Sequence, residues 1–208
     1  MAQGQGDGTA GGRGQVTAGH LRPQSDNTKT AHSFLALETF PASSEAIAVM
    51  DCVAQTGLLP VWVSFTLRDE QCLAGGETIA QAVKAVINHQ LARLNTMIQQ
   101  LGEIWGINIF REKRLLAIGF NCSCPSLITG ALQEARKAAG SKIPFVVYPN
   151  SGERWERGHW SKPEQEVAWL DLIPAWVQLG AVIVGGCCRV TDEAMPVIKA
   201  QIVRALTK

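Results

Sequence analysis

Short apolar runs alternate along this chain with longer stretches in which apolar residues return every third or fourth position. The runs fall at 34–37, 61–67, 115–120, 145–148 and 182–184 and are rich in Val, Leu, Ile and Phe. Roughly four to eight apolar residues in succession suit a strand covered on both faces. The intervening stretches, near 43–56, 78–105, 125–139, 163–179 and 192–206, read as helices. Ser161-Lys162-Pro163-Glu164 has the form of a capping box with proline in the first turn. Asp192 and Glu193 place negative charge at the positive end of the last helix. Strand and helix in regular alternation predict an α/β fold with a parallel sheet under helices.

Residues 1–31 do not share this pattern. They carry Gly4, Gly6, Gly8, Gly11, Gly12 and Gly14 and almost nothing to bury, a composition expected of a disordered tail. Arg13, Arg22 and Lys29 suggest a transit peptide, but Asp7, Asp26 and the lack of an amphipathic pattern argue against it. The expected organisation is therefore a glycine-rich tail over 1–31 and one domain over 32–208.

Each predicted strand ends on polar or small residues: Glu38-Thr39, Thr66 to Asp69, Asn121-Cys122, Asn150-Ser151-Gly152 and Gly186-Cys187-Cys188. Active sites of barrels and of open parallel sheets both lie at the carboxyl ends of the strands, so this clustering locates a site without choosing between folds. No glycine-rich phosphate-binding motif follows any strand.

Two of these strand ends deliver three cysteines. Three thiolates make a good zinc site and leave a tetrahedral ion one position short. The same residues also read as inert thiols or as a disulfide in waiting, although the adjacent Cys187 and Cys188 would pair with each other only under strain. Cys124 lies two residues after Cys122 and reads as a helix-start cysteine outside a metal site; Cys52 and Cys72 read as packing or surface thiols.

The composition narrows the setting. Of 208 residues, 46% are hydrophobic and 18% charged, as in a water-soluble globular protein, and the net charge of +1 provides no attraction for nucleic acid or an anionic membrane. Six cysteines without a signal peptide fit a reducing compartment, and no apolar run has the roughly eighteen residues of a membrane span. A cytoplasmic location is expected.

Gly119-Phe120-Asn121-Cys122 and Gly185-Gly186-Cys187-Cys188-Arg189 resemble two motifs of the homocysteine S-methyltransferase family. Val147-Tyr148-Pro149-Asn150-Ser151-Gly152-Glu153, Leu37-Glu38-Thr39 and Ser64-Phe65-Thr66-Leu67 are similar to further family segments in the same order, over about residues 34–200. The details look closer to the branch that uses S-methylmethionine than to the betaine-using enzymes. The resemblance implies a (β/α)8 barrel, zinc held by Cys122, Cys187 and Cys188, and Glu38 as a carboxylate for the amino group of homocysteine. It also implies methyl transfer from a sulfonium donor to homocysteine, giving methionine.

Set against the family, the chain supplies about the last five βα units, with strands one to three and the Asp-Gly-Ala segment of the first strand lacking a counterpart. A partial barrel of this kind is expected to leave the 34–37 and 182–184 strands as free edges, to expose apolar side chains on its concave face and to self-associate. An apparent insertion at 89–113 carries Leu91, Leu94, Met97, Ile98, Leu101, Ile104 and Trp105 at helical spacing, expected to cover the barrel's own core rather than a partner. The rival function is a catalytically silent truncated isoform that binds zinc or homocysteine. A thiol redox module is disfavoured because the chain has no C-x-x-C motif. His159 and Trp155 with Trp160 are expected in a polar loop, Trp169 and Trp176 in a core helix, and Arg68, Asp69 and Glu70 in a solvated turn.

Overall fold

The computed structural model describes residues 15–21, 32–56, 59–101, 115–141, 143–156, 158–161 and 169–207. Strands β1 (Gln15–Leu21) and β2 (His32–Phe40) are followed by α1 (Ser43–Thr56), β3 (Val61–Phe65), α2 (Ile79–Leu101), β4 (Leu115–Asn121), α3 (Pro125–Ala139) and β5 (Phe145–Tyr148). A hairpin of β6 (Arg154–Glu156) and β7 (His159–Ser161) precedes a 3-10 turn (Trp169–Leu172), α4 (Ile173–Gln178), β8 (Ala181–Val184) and α5 (Ala194–Leu206). The predicted capping box at 161–164 lies largely outside the described residues. A reciprocal box does form at the start of α2: Gln81 Oε1 accepts from Thr78 N at 3.1 Å and Gln81 N donates to Thr78 Oγ1 at 3.2 Å.

The main sheet has the order β1-β2-β3-β4-β5-β8. Strands β2, β3, β4, β5 and β8 run parallel, as the alternating pattern predicts, while β1 is antiparallel to β2, pairing Gln15 with Glu38 through Leu21 with His32. This corrects two expectations. Gln15–Leu21 forms a strand where a structureless tail was expected, and the 34–37 segment is therefore an inner part of the sheet. The physical reason is the unpaired backbone of β2, whose N–H and C=O groups gain partners from any neighbouring extended segment, even one of weak strand composition. The opposite edge is as expected: β8 ends the sheet, with Val182 and Ile183 exposed.

The convex face of the sheet carries the main core. Leu37, Val63, Phe65, Ile118, Phe120, Phe145 and Val147 are fully buried against apolar faces of the helices. In α3 these are Ile128, Ala131, Leu132, Ala135 and Ala139, a stripe at three- and four-residue steps. Helix α2 joins the core through Ile79, Ala82, Val83 and Val86, while Leu91, further along, is half exposed. Within the 89–113 stretch expected to cover the core, Leu91 is exposed and Leu94 half-buried, and 102–113 fall outside the described residues.

On the concave face, register aligns Ala36 with Trp62 and Ala117, and Ser64 with Gly119 and Val146. Phe34, Ala36, Ala117 and Val146 are buried, contrary to the expectation of a broadly exposed apolar face. Trp62 lies on this face between Ala36 and Ala117 in register, its ring 4.9 Å from Phe34 and 6.4 Å from Tyr148. Gly119 lets β4 and β5 come together: a Cβ there would lie 1.7 Å from the Val146 carbonyl oxygen.

Candidate functional site

The carboxyl ends of β4 and β8 bring Cys122, Cys187 and Cys188 together, their sulfurs all within 4.8 Å of one another. Cys188 Sγ lies 4.0 Å from Cys122 Sγ and 3.9 Å from Cys187 Sγ. Cys122 and Cys187 are paired directly, with Cα atoms 5.6 Å apart. Sulfurs bound to one tetrahedral zinc at about 2.3 Å stand about 3.8 Å apart, so the two Cys188 separations match such a donor set. The same cluster can also close as the Cys122–Cys187 pair.

The backbone that joins the two cysteine loops comes from the segment after β5. Cys122 N donates to Tyr148 O, Asn150 N to Ser123 O, Cys187 N to Pro149 O and Ser151 N to Cys188 O. Residues 148–151 thus lie between the loops and bond to both. Ser123, buried, donates to Asn121 O and accepts from Leu67 N, tying the Cys122 loop to the end of β3.

A ring of side-chain hydrogen bonds lies beside the cysteines. Tyr148 Oη donates to Glu38 Oε1 at 2.7 Å and lies 2.6 Å from Ser64 Oγ. The one Ser64 hydroxyl proton faces both Tyr148 Oη and Asn121 Oδ1, 2.9 Å away. Asn121 Oδ1 also accepts from Thr39 N, and its Nδ2 donates to Thr39 Oγ1 at 2.7 Å. The ring leaves β2 at Glu38, passes through β5, β3 and β4, and returns to β2 at Thr39. Tyr148 therefore touches both predicted halves of the site, Glu38 through its phenol and Cys122 through its carbonyl. Burial pushes the Tyr148 phenol well above the ordinary tyrosine range, and donation to Glu38 adds to the shift.

Backbone strain gathers at the same end of the sheet. Among the described residues, Thr39 (φ 68°), Cys122 (φ 48°) and Arg189 (φ 66°) are the non-glycine residues with positive φ, and each flanks or belongs to the site. Arg189 Nε donates to Glu153 Oε2 at 2.7 Å, which fastens the residue after Cys188 to the loop after β5.

The remaining candidates lie elsewhere. Cys124 occupies the N-cap position of α3 without a side-chain cap bond, its sulfur 3.1 Å from Ser126 Oγ and apart from the three-cysteine cluster; Cys52 is exposed and Cys72 partly so. His159 is exposed in β7, and Trp155 is the register partner of Trp160 across the hairpin. Trp169 and Trp176 stack in the core with ring centroids 6.0 Å apart. Asp69 folds its turn by accepting from Gln71 N and Cys72 N.

The sequence reading assigned no role to Ser64, Asn121, Tyr148 or Thr39. The available signal was a polar residue set inside or at the end of an apolar run, at positions that alternation turns toward one face.

The sequence matches the Homocysteine S-methyltransferase family over residues 15–202. It is 40% identical over 164 residues to the Betaine-homocysteine S-methyltransferase of Drosophila melanogaster, covering 75% of this chain and 43% of that protein. It is 30% identical over 170 residues to the Homocysteine S-methyltransferase of Escherichia coli (strain K12), covering 80% and 47%. The metallated form of the homocysteine methyltransferase MmuM from Escherichia coli superposes with a TM-score of 0.58 at 27% identity, over 82% of this chain and 45% of that one. Its oxidized form gives 0.59 at 28% identity, over 82% and 46%. The chain spans less than half the length of these relatives, and its parallel strands and helices make up part of a (β/α)8 barrel. This chain belongs to the homocysteine S-methyltransferase family.

Proposed function

We propose that the site serves methyl transfer from a sulfonium donor such as S-methylmethionine to the sulfur of homocysteine. The homocysteine sulfur attacks the methyl carbon, the bond from that carbon to the donor sulfur breaks, and its electron pair leaves a neutral thioether. The thiol proton goes to solvent, and methionine forms from the acceptor. The observation that carries this reading is the convergence of three cysteine sulfurs at a strand-end site that one residue, Tyr148, ties to Glu38.

Cys122, Cys187 and Cys188 would hold zinc, which when bound offers an open position at which a thiol loses its proton. Glu38 would take the substrate ammonium, because a carboxylate at the end of an apolar strand is costly to desolvate unless a cation meets it. Holding acceptor and donor in line would supply much of the rate in a displacement that starts from a good leaving group. The Drosophila relative's name favours a second donor, betaine, whose methyl group is carried on nitrogen. Expected setting and partners are the cytoplasm, homocysteine and the methyl donor, with self-association through the open β8 edge.

Metal analysis tests the ligands: the purified chain should hold one zinc, and the triple Cys122→Ser, Cys187→Ser, Cys188→Ser variant none. Stoichiometric zinc in the variant would refute the assignment. Assays with homocysteine and either S-methylmethionine or betaine test the reaction. With five parallel strands, the chain alone should turn over far more slowly than about 1 per second, a rate typical of enzymes. Turnover at that rate by a monomer would show that the partial barrel suffices. Thiol binding with no turnover from either donor would favour the silent binding fragment.

A further inference from the structure

We infer that Tyr148 is a positioning residue for the amino-acid end of the substrate, holding Glu38 so that the site prefers thiols bearing an α-amino group. The inference rests on the reading above, in which Glu38 takes the ammonium. A tyrosine hydroxyl in a largely enclosed position needs a polar partner, and Ser64 alone, at 2.6 Å, would satisfy it. The phenol nevertheless reaches a carboxylate at 2.7 Å, across to the strand on the far side of β3 and β4.

That contact has two consequences. It fixes one carboxylate oxygen, so the freedom that a glutamate would otherwise lose on meeting a ligand is already removed. It also sets the carboxylate at a defined place relative to Cys122, because the Tyr148 carbonyl accepts from Cys122 N. The Tyr148 ring has the Trp62 ring beside it, tilted at 6.4 Å, and Trp62 in turn meets Phe34 at 4.9 Å; such neighbours restrict movement of the phenol away from Glu38. Ser64, Asn121 and Thr39 complete the circuit and prevent the Glu38–Thr39 backbone from drifting relative to β4. The expected result is selectivity between two ligands with the same thiol: one whose ammonium meets the fixed carboxylate and one with nothing to place there.

The test uses the zinc-loaded full chain and two ligands followed by calorimetry: homocysteine, and 4-mercaptobutanoate, which keeps the thiol and carboxylate but lacks the amino group. In wild type, homocysteine should bind more tightly. Tyr148→Phe should weaken homocysteine about tenfold, as expected for loss of a hydrogen bond to a charged group, and leave 4-mercaptobutanoate within about twofold. Zinc content should be unchanged. Equal weakening of both ligands would mean that the residue is only structural, and an unchanged ratio would also overturn the inference. Should the phenylalanine variant fail to fold, as read by circular dichroism, Ser64→Ala replaces it. That variant should lower the ratio about threefold by cutting the link from the phenol to Asn121 and Thr39, and no change would overturn the inference. Wild type that binds neither thiol refutes the proposed function itself, and wild type that binds both equally refutes the role of Glu38.

Discussion

The two faces of the sheet use the same strands for different ends. On the convex face, Phe65, Ile118, Phe120 and Val147 pack against helices with no polar group among them. On the concave face, strand-end positions carry Glu38, Ser64, Asn121 and Tyr148, joined to one another and set beside three cysteines. Neighbouring residues of β4 show the contrast: Phe120 points into the core, and Asn121 joins the ring. The difference teaches that stability and chemistry are separated by the two-residue period of a strand and share a backbone rather than a region of sequence.

Substitutions that act on one face alone can break that separation or sharpen it. The largest effect is expected for Phe120→Ala, which empties a fully buried site and should lower unfolding free energy by about 3–5 kcal/mol, measured by urea titration. The preference for homocysteine over its deaminated analogue should persist in the folded fraction, and loss of that preference would show that the faces are coupled. Asn121→Ala comes next. It removes a buried side chain that meets Thr39 and Ser64, and should cost about 1–3 kcal/mol while disturbing ligand selectivity. A stability loss with selectivity intact would assign the ring to folding alone.

The smallest effect is a pH dependence, readable because Tyr148 is the one tyrosine in the chain. Its folded pKa is raised and its unfolded value is about 10. Below about pH 10 both states keep the proton and stability is unaffected by this group. Above it, the unfolded chain releases the proton while the folded chain retains it, so stability falls as pH rises. Ultraviolet titration of the folded protein should show no phenolate near pH 10, and Tyr148→Phe should flatten the alkaline fall. An ordinary tyrosine titration in the folded state would place the phenol in solvent.

The parallel strands and their helices were legible because apolar runs and helical periodicity are local signals, and Cys122, Cys187 and Cys188 were legible from motifs at strand ends. The first strand was not. Gln15–Leu21 has little to bury and pairs because β2 presents an open backbone, a property of its neighbour rather than of its own residues. The ring was not legible. Ser64 and Asn121 are polar residues in apolar surroundings, but their meeting depends on the register of β2, β3, β4 and β5, which one-dimensional pattern does not specify. The box at Thr78 and Gln81 has the Thr-x-x-Gln form that a helix start uses, a local signal present in the sequence itself.

The segment 148–151, bonded to the loops on either side of it, also bears on lifetimes. Neither cysteine loop can swing away by itself, since each such motion breaks main-chain bonds that the other loop helps to hold. Escape of anything bound at the three sulfurs should then follow a cooperative opening, at a rate that tracks the hydrogen exchange of the Cys122, Asn150, Ser151 and Cys187 amides rather than the fast fluctuation of a surface loop.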